Sequence, residues 1–357
     1  MNHDWLLVET LGAEPVVVAE GVHTRNLVPI GTALRRNPHL MAIQTAIGET
    51  VRAGTGLSSI TPKNDCVIRT DVVQMSDGVI HGVQIWLGAI DREPPPRPLV
   101  GPLIWNLTEG TATDTIESLR VGGWDPARQN LHGRAFADDL PRRDLNPYEA
   151  KVLGMVIKPE PGVVICSTWD VEDYLGQPIT VGFVSRSLAE KLDNGTEQVI
   201  CRAMNWRSIN EGNTIQQNLL AQRILDGLAE PGVHRALVDP THWTLLKWLD
   251  DPAPFFDWRA GMGSDRVIHP QDKDAIAAMA DQFTSGPASG VLRLVDRQGG
   301  WTPVHVTVHR VELEDGVDAA LALLRTPTTE ELAELTERDK RPARATSGWK
   351  IGPRRGR

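Results

Sequence analysis

The side chains of this 357-residue sequence with the most chemistry to offer are three cysteines, ten histidines and eleven tryptophans, and what they can do depends on spacing. Cys66, Cys166 and Cys201 lie too far apart for a CxxC metal or redox motif, and an odd count argues against a secreted disulfide framework, so reduced thiols are expected. His305 and His309 share one face of a strand with Thr307 between them, while Val304, Val306 and Val308 take the other; a solvated or interface face accounts for the histidines more simply than a metal or haem. His23, His81 and His132 have no neighbouring motif. Trp243, Trp248 and Trp258, with His269, are the ligand-pocket candidates, because an indole offers an apolar face and one N–H donor. Core packing is the simpler role for the tryptophans, and Trp243 and Trp248 are expected on opposite faces of one strand. His269 reads as a helix-start residue. Asp138, Asp139, Arg142, Arg143 and Asp144 concentrate charge on what reads as a solvated loop. No HExxH, GxxxxGK[ST], GxSxG or kinase catalytic loop is present, and the Gly54/Gly56 and Gly261/Gly263 pairs read as turns. No catalytic residue, metal site or cofactor is therefore assigned.

Whatever chemistry these residues do must be positioned by an α+β chain of three modules, each an antiparallel sheet with helices on one side. Strands are expected at 5–9 and 15–20, a helix capped by Asn37 with Pro38 at its first position, and a hairpin of 66–75 and 79–88 around Asp77-Gly78. The proline-rich DREPPPRPLVGP ends this first module, so the division is 1–92, a linker at 93–102, and a middle module at 103–212 with strands at 162–171, 178–187 and 198–206. From Asn213 a connecting helix (213–230) places Ile215, Leu219, Ile224 and Leu228 on one side with Leu220 adjacent, a stripe that must be buried on flanking sheets or on a second copy. The third module, 231–330, has strands at 234–239, 243–249, 290–296, 301–313 and 317–325, with a helix after His269-Pro270.

Hydrophobic residues make up 41% of the chain and charged residues 23%, as in soluble globular proteins, and no apolar run approaches a membrane span. The start, MNHDWLLVET, has no secretory pattern, so a cytoplasmic location is expected. The net charge of −9 hides a tail, 338–357, with eight basic side chains against Asp339 alone. The remainder is more acidic than the total and would repel nucleic acid, which excludes a generic DNA-binding core. Residues 331–357 read as a basic, disordered end.

Several longer strings are distinctive: HDWLLVETLG (3–12), SITPKND (59–65), MSDGVIHGVQ (75–84), HGRAFADDLPRRDLNP (132–147), AMNWR (203–207) and WTLLKWLDDP (243–252). With the His269-Pro270-Gln271-Asp272 start of a helix, they make the chain resemble the mycobacterial triple sensor-domain family, the PAS-GAF-PAS proteins of actinobacteria. The resemblance covers about residues 1–330. It implies PAS-like, GAF-like and PAS-like modules and a non-enzymatic sensor or adaptor acting through a ligand, through protein partners of a signalling pathway, or both. A homodimer through the 213–230 helix fits this reading; specific nucleic-acid binding and a membrane span do not. A small-molecule enzyme using the GAF-like pocket and a ligand-free scaffold remain the alternatives.

Overall fold

The computed structural model describes residues 4–63, 65–140, 146, 148–191, 195–209, 223–260, 267–314 and 316–340. Contacts divide the chain into two compact units, 1–155 with 159–222, and 156–158 with 223–357. The first unit holds two sheets. The N-terminal one comprises β1 (Leu6–Glu9), β2 (Val16–Glu20), β3 (His23–Pro29), β4 (Ser58–Ile60), β5 (Cys66–Gln74) and β6 (Ile80–Ala89), in the order β3-β2-β1-β6-β5-β4, with helices α1 (Ile30–Ala33) and α2 (Leu40–Ala53) between β3 and β4. Every neighbouring pair is antiparallel. The expected hairpin is β5–β6, turning at Gly78 with φ +85. Helix α2 starts later than the Asn37 cap suggested: Asn37 Oδ1 accepts from the His39 N–H at 2.9 Å, and His39 is the N-cap.

The second sheet comprises β7 (Val100–Asn106), β8 (Thr111–Asp114), β9 (Arg134–Ala135), β10 (Val164–Glu172), β11 (Pro178–Lys191) and β12 (Glu197–Ser208), in the order β10-β11-β12-β7-β8-β9. Helices α3 (Ile116–Val121) and α4 (Phe136–Asp139) attach to its β7–β9 end, and α5 (Glu149–Ile157) precedes β10. The proline-rich stretch is not a free spacer. Pro95 O accepts from the Trp5 indole at 2.9 Å, Pro98 O accepts from Gln84 at 2.8 Å, and Val100 already pairs with Trp206.

Alternation along β1 sends Leu7 and Val8 to opposite faces of the first sheet. Val8 joins Ile43, Ala46, Ile47, Ile68 and Val83 under α2. Leu7 joins Val18 and Val73 in one apolar cluster with Cys166, Val184, Met204 and Trp206 of the second sheet. Polar contacts lock the same interface: buried Glu9 takes both Arg186 Nε (2.8 Å) and Nη2 (3.1 Å), and His81 Nδ1 lies 2.8 Å from Ala203 O.

The second unit forms one five-stranded antiparallel sheet, β13 (Val233–Val238), β14 (Leu245–Trp248), β15 (Ala288–Val295), β16 (Trp301–Glu314) and β17 (Val317–Arg325), ordered β14-β13-β17-β16-β15. Val304, Val306 and Val308 are buried, and His305 and His309 take the other face of β16. A 3-10 turn (Pro270–Asp272) leads into α6 (Lys273–Phe283), which lies over β15 and β16. The start of the expected disordered tail is instead helix α7 (Thr329–Asp339). Thr328 and Glu331 cap it reciprocally, each side chain accepting from the other's backbone N–H, a spacing that charge counting overlooked. Arg338 and Arg293 converge on the fully buried Asp272, so the first basic residue of that tail belongs to the fold. Residues 341–357 lie outside the described residues, as do Ile215, Leu219 and Leu220 of the connecting helix. Residues 223–227 are helical, with Ile224 53% and Leu228 65% exposed.

Two stability outcomes follow from these contacts. A Cβ on Gly82 would stand 2.5 Å from Val8 O and 2.7 Å from Met204, whereas one on helical Gly48 would meet nothing within 4 Å. Gly82→Ala is expected to destabilise by about 1–3 kcal/mol through overpacking, and Gly48→Ala to stabilise by about 0.5–1 kcal/mol, as measured by urea denaturation. Asp272→Asn leaves two guanidinium groups without their shared anion, which should cost about 3–5 kcal/mol in the second unit. Faster proteolysis between Thr328 and Lys340 would report it.

Candidate functional site

A cavity of about 580 Å³ opens on the α2 face of the N-terminal sheet. Leu6, Ile85 and Leu87 form its sheet wall, Ala33, Leu34 and Ile43 its helical wall, and Arg36, Asn37, Pro38 and Cys66 one end. The segment between the four-residue α1 and the start of α2 supplies Leu34, Arg36, Asn37 and Pro38 to its lining. The volume lies within the roughly 300–1,000 Å³ of small-molecule sites, and the lining is mostly apolar with Asp4, Glu20 and Arg36 as charged groups. No sequence motif marked it, since its walls are ordinary aliphatic residues at strand and helix spacing.

The middle module has a smaller pocket of about 70 Å³ walled by Trp105, Trp124, Trp169 and Phe183, with Asp114, Ser118, Asp139 and Asn205 supplying polar atoms. Asp139 is not on a solvated loop. It ends α4 with its side chain 8% exposed, Oδ2 accepting from the Trp105 indole at 2.9 Å and Oδ1 lying 2.7 Å from Arg134 Nη1. Arg134 also binds Asp114, which accepts from Ser118 Oγ at 2.8 Å. Burial, with the Asp114 charge added, pushes the Asp139 carboxyl up to about 7, and burial raises Asp114 too. Asn205 donates to Ser118 O at 3.0 Å, while its buried Oδ1 has no hydrogen-bond partner among the described residues. A carboxyl titrating near neutrality beside a pocket can move a proton, yet both of its oxygens are held by neighbours. Ser118 is similarly engaged, accepting from the Thr115 N–H at 2.9 Å in a capping box. Arg142, Arg143 and Asp144 lie outside the described residues.

The structure does not gather the sequence-derived pocket candidates into one site. Trp243 precedes β14, with a left-handed backbone (φ 57), and walls a cavity of about 40 Å³ with Phe256, Leu292 and Leu294, room for a water or two. Trp248 lies inside β14, edge-on to Trp258 at 5.3 Å, and neither lines that cavity. The strand therefore does not place Trp243 and Trp248 on opposite faces, because Trp243 is not part of it. The buried indole nitrogens of all three lack a hydrogen-bond partner among the described residues. His269 caps the 3-10 turn, Nδ1 accepting from the Gln271 N–H at 3.2 Å, and sits edge-on to Trp301. His305 Nε2 is 3.3 Å from Glu331 Oε1. Cys166 and Cys201 are buried thiols that desolvation pushes up to about 12.

Three antiparallel sheet-and-helix modules, two of them sharing a core, with pockets between sheet and helices, define an α+β protein of the multidomain, cavity-bearing kind. This chain belongs to the Rv3651-like family: the family's N-terminal domain matches residues 4–96, its middle domain 99–208 and its C-terminal domain 218–335. A crystal structure of an uncharacterized protein from Mycobacterium tuberculosis is 53% identical, covers 94% of this chain and 99% of its own, and superposes with a TM-score of 0.86. An RNA-binding light-oxygen-voltage receptor (9% identity, 67% of this chain and 97% of that one, TM-score 0.25) and an Escherichia coli DhaR(N)–DhaL complex (10% identity, 58% and 80%, TM-score 0.21) are too distant to bear on fold or function. No curated protein matches. The three family matches carry no PAS or GAF designation.

Two buried groups of the first unit give opposing pH dependences. Burial lowers His81 from its ordinary 6.5 to about 4, so as pH falls through that window the unfolded chain takes up a proton that the folded chain excludes, and stability drops. Asp139, raised from 3.8 to about 7, keeps a proton that the unfolded chain releases, so its contribution falls as pH rises through that window. In urea denaturation across a pH series, His81→Gln should remove the acid-side loss and Asp139→Asn the decline toward neutral pH.

Proposed function

We propose that this chain is a non-enzymatic, ligand-responsive sensor and adaptor of the cytoplasm, with PAS-like, GAF-like and PAS-like modules, and that its ligand occupies the N-terminal cavity. The observation that carries the reading is the cavity of about 580 Å³ on one face of a sheet whose other face is the joint with the middle module. Strand β6 belongs to both. Ile85, Leu87 and Gly88 wall the cavity, while His81 reaches Ala203 and Gly82 lies against Met204. A ligand that favours one position of β6 therefore changes the joint as well, provided it binds the two arrangements with different affinity. Ser118 and Asp114, the nearest approach to a catalytic pair, are committed to a helix cap and an ion pair, which favours a binding role over an enzymatic one. Ile224 and Leu228 are the described part of the apolar stripe where a signalling partner or second copy would dock.

Native mass spectrometry of the full chain purified from its own cells, before and after denaturation, tests this. A small molecule released on denaturation is expected, and Ala33→Trp, which fills the cavity from α1, should abolish its retention. A chain that retains nothing, or an Ala33→Trp variant that retains the same molecule, would overturn the assignment.

A further inference from the structure

The geometry points to a divalent transition-metal site of the zinc class formed by His39, Asp65 and Cys66, at the end of the N-terminal cavity. The imidazole nitrogen, a carboxylate oxygen and the thiol sulfur all lie within 4.8 Å of one another. His39 Nε2 and Asp65 Oδ2 are 3.4 Å apart. A tetrahedral ion with bonds of about 2.0–2.3 Å sets its ligand atoms about 3.3–3.8 Å apart, so this pair already has the required spacing and the sulfur closes by about 1.5 Å at most.

Each ligand is held by a local device. The Asn37 side chain accepts from the His39 N–H at 2.9 Å and fixes a 5% exposed histidine ahead of α2. Thr61, 1% exposed, donates to Asp65 Oδ1 at 2.6 Å and accepts from the Cys66 N–H at 3.1 Å, so one hydroxyl orients both remaining ligands. That hydrogen bond uses the carboxylate oxygen facing away from His39 and leaves Oδ2 for the ion, the usual arrangement of an outer-shell partner. A carboxylate and a thiolate together balance a charge of about +2, with the thiol proton released to solvent on binding. Nitrogen, oxygen and sulfur from three side chains, with a fourth position left for water or another donor, is the ligand set of open zinc sites. Cys66 is itself part of the cavity wall, which places that fourth position within reach of a molecule bound there. The spacing 39, 65, 66 matches no sequence motif, because the helix start and the β5 start meet only in the folded sheet.

The test uses the untagged full chain, stripped with a chelator, then titrated with Zn²⁺ against a chromophoric chelator and separately with Co²⁺. One equivalent should bind, Co²⁺ should show a thiolate-to-metal charge-transfer band, and bound Zn²⁺ should protect Cys66 from alkylation under native conditions. Cys166 and Cys201 are buried and free, so neither contributes to that band. Cys66→Ser should abolish the band, Asp65→Asn should weaken Zn²⁺ binding at least about tenfold, and Thr61→Val should weaken it about 10–100-fold. Absence of the band in the wild-type chain, a band that survives in folded Cys66→Ser, or alkylation of Cys66 unaffected by Zn²⁺ would each overturn the site. The alkylation measurement needs no variant and so decides even if a substitution fails to fold. Retention of a small molecule by a chain that binds no Zn²⁺ would leave the sensor reading standing while removing this one.

Discussion

The central strands of the N-terminal sheet are buried on both faces, and much of the first unit depends on how that burial is shared. Leu7, Val18 and Val73 go to the second sheet, and Val8, Val83 and Ile85 go to α2. Burying both faces makes strand sequences read as near-continuous apolar runs, as in VVVAE and VIHGVQIWLG, and it makes each strand a mechanical link between what lies on either side. At about 25 cal/mol per Å² of apolar area, a cluster of this size outweighs the single ion pair of Glu9 with Arg186. The ion pair instead fixes the register of two sheets that apolar contact alone would allow to slide, since breaking it would strand a carboxylate that is 1% exposed.

Each unit also buries a carboxylate with arginine, and the two solutions differ in consequence. Asp272 is fully buried but shared by Arg293 and Arg338, with Asp339 also pairing Arg293, and it staples α7 to β15. In the middle module one guanidinium, Arg134, serves two carboxylates, and burial, with the Asp114 charge added, raises Asp139 to about 7. The first arrangement is a fastening. The second leaves a titratable group beside an aromatic pocket, where any cationic neighbour would draw the proton off Asp139.

Much of the sheet structure was legible in the sequence because alternation and turn residues are local. Asp77-Gly78 predicts the β5–β6 hairpin, and Val304, Val306 and Val308 predict the buried face of β16. What failed was what depends on distant partners. The prolines at 94–98 read as a spacer by composition, yet Pro95 and Pro98 carbonyls are acceptors for Trp5 and Gln84. Charge counting turned α7 into a tail although Thr328 and Glu331 carry a capping spacing. Asp139 looked solvated because Trp105 and Asp114, which enclose it with nearby Arg134, are distant in sequence. The tryptophans stand out by number, but the cavity of about 580 Å³ is walled mainly by leucine, isoleucine and alanine, which carry no motif.

The site's position matters more than its chemistry for how a signal would leave it. A cavity enclosed by a free-standing module could fill and empty without consequence elsewhere. Here β6 carries Ile85 and Leu87 toward the cavity and, a few residues earlier, places Gly82 where its missing side chain lets Met204 approach. A Cβ there would collide with Val8 O of the neighbouring strand and with the end of the Met204 side chain, so only glycine lets the two sheets approach this closely at that point. Close packing on one face turns a small displacement of the strand into a change at the other module, because a well-packed interface switches between discrete arrangements rather than deforming smoothly. The glycine in MSDGVIHGVQ is therefore as much a part of the proposed response as the residues that would touch the ligand.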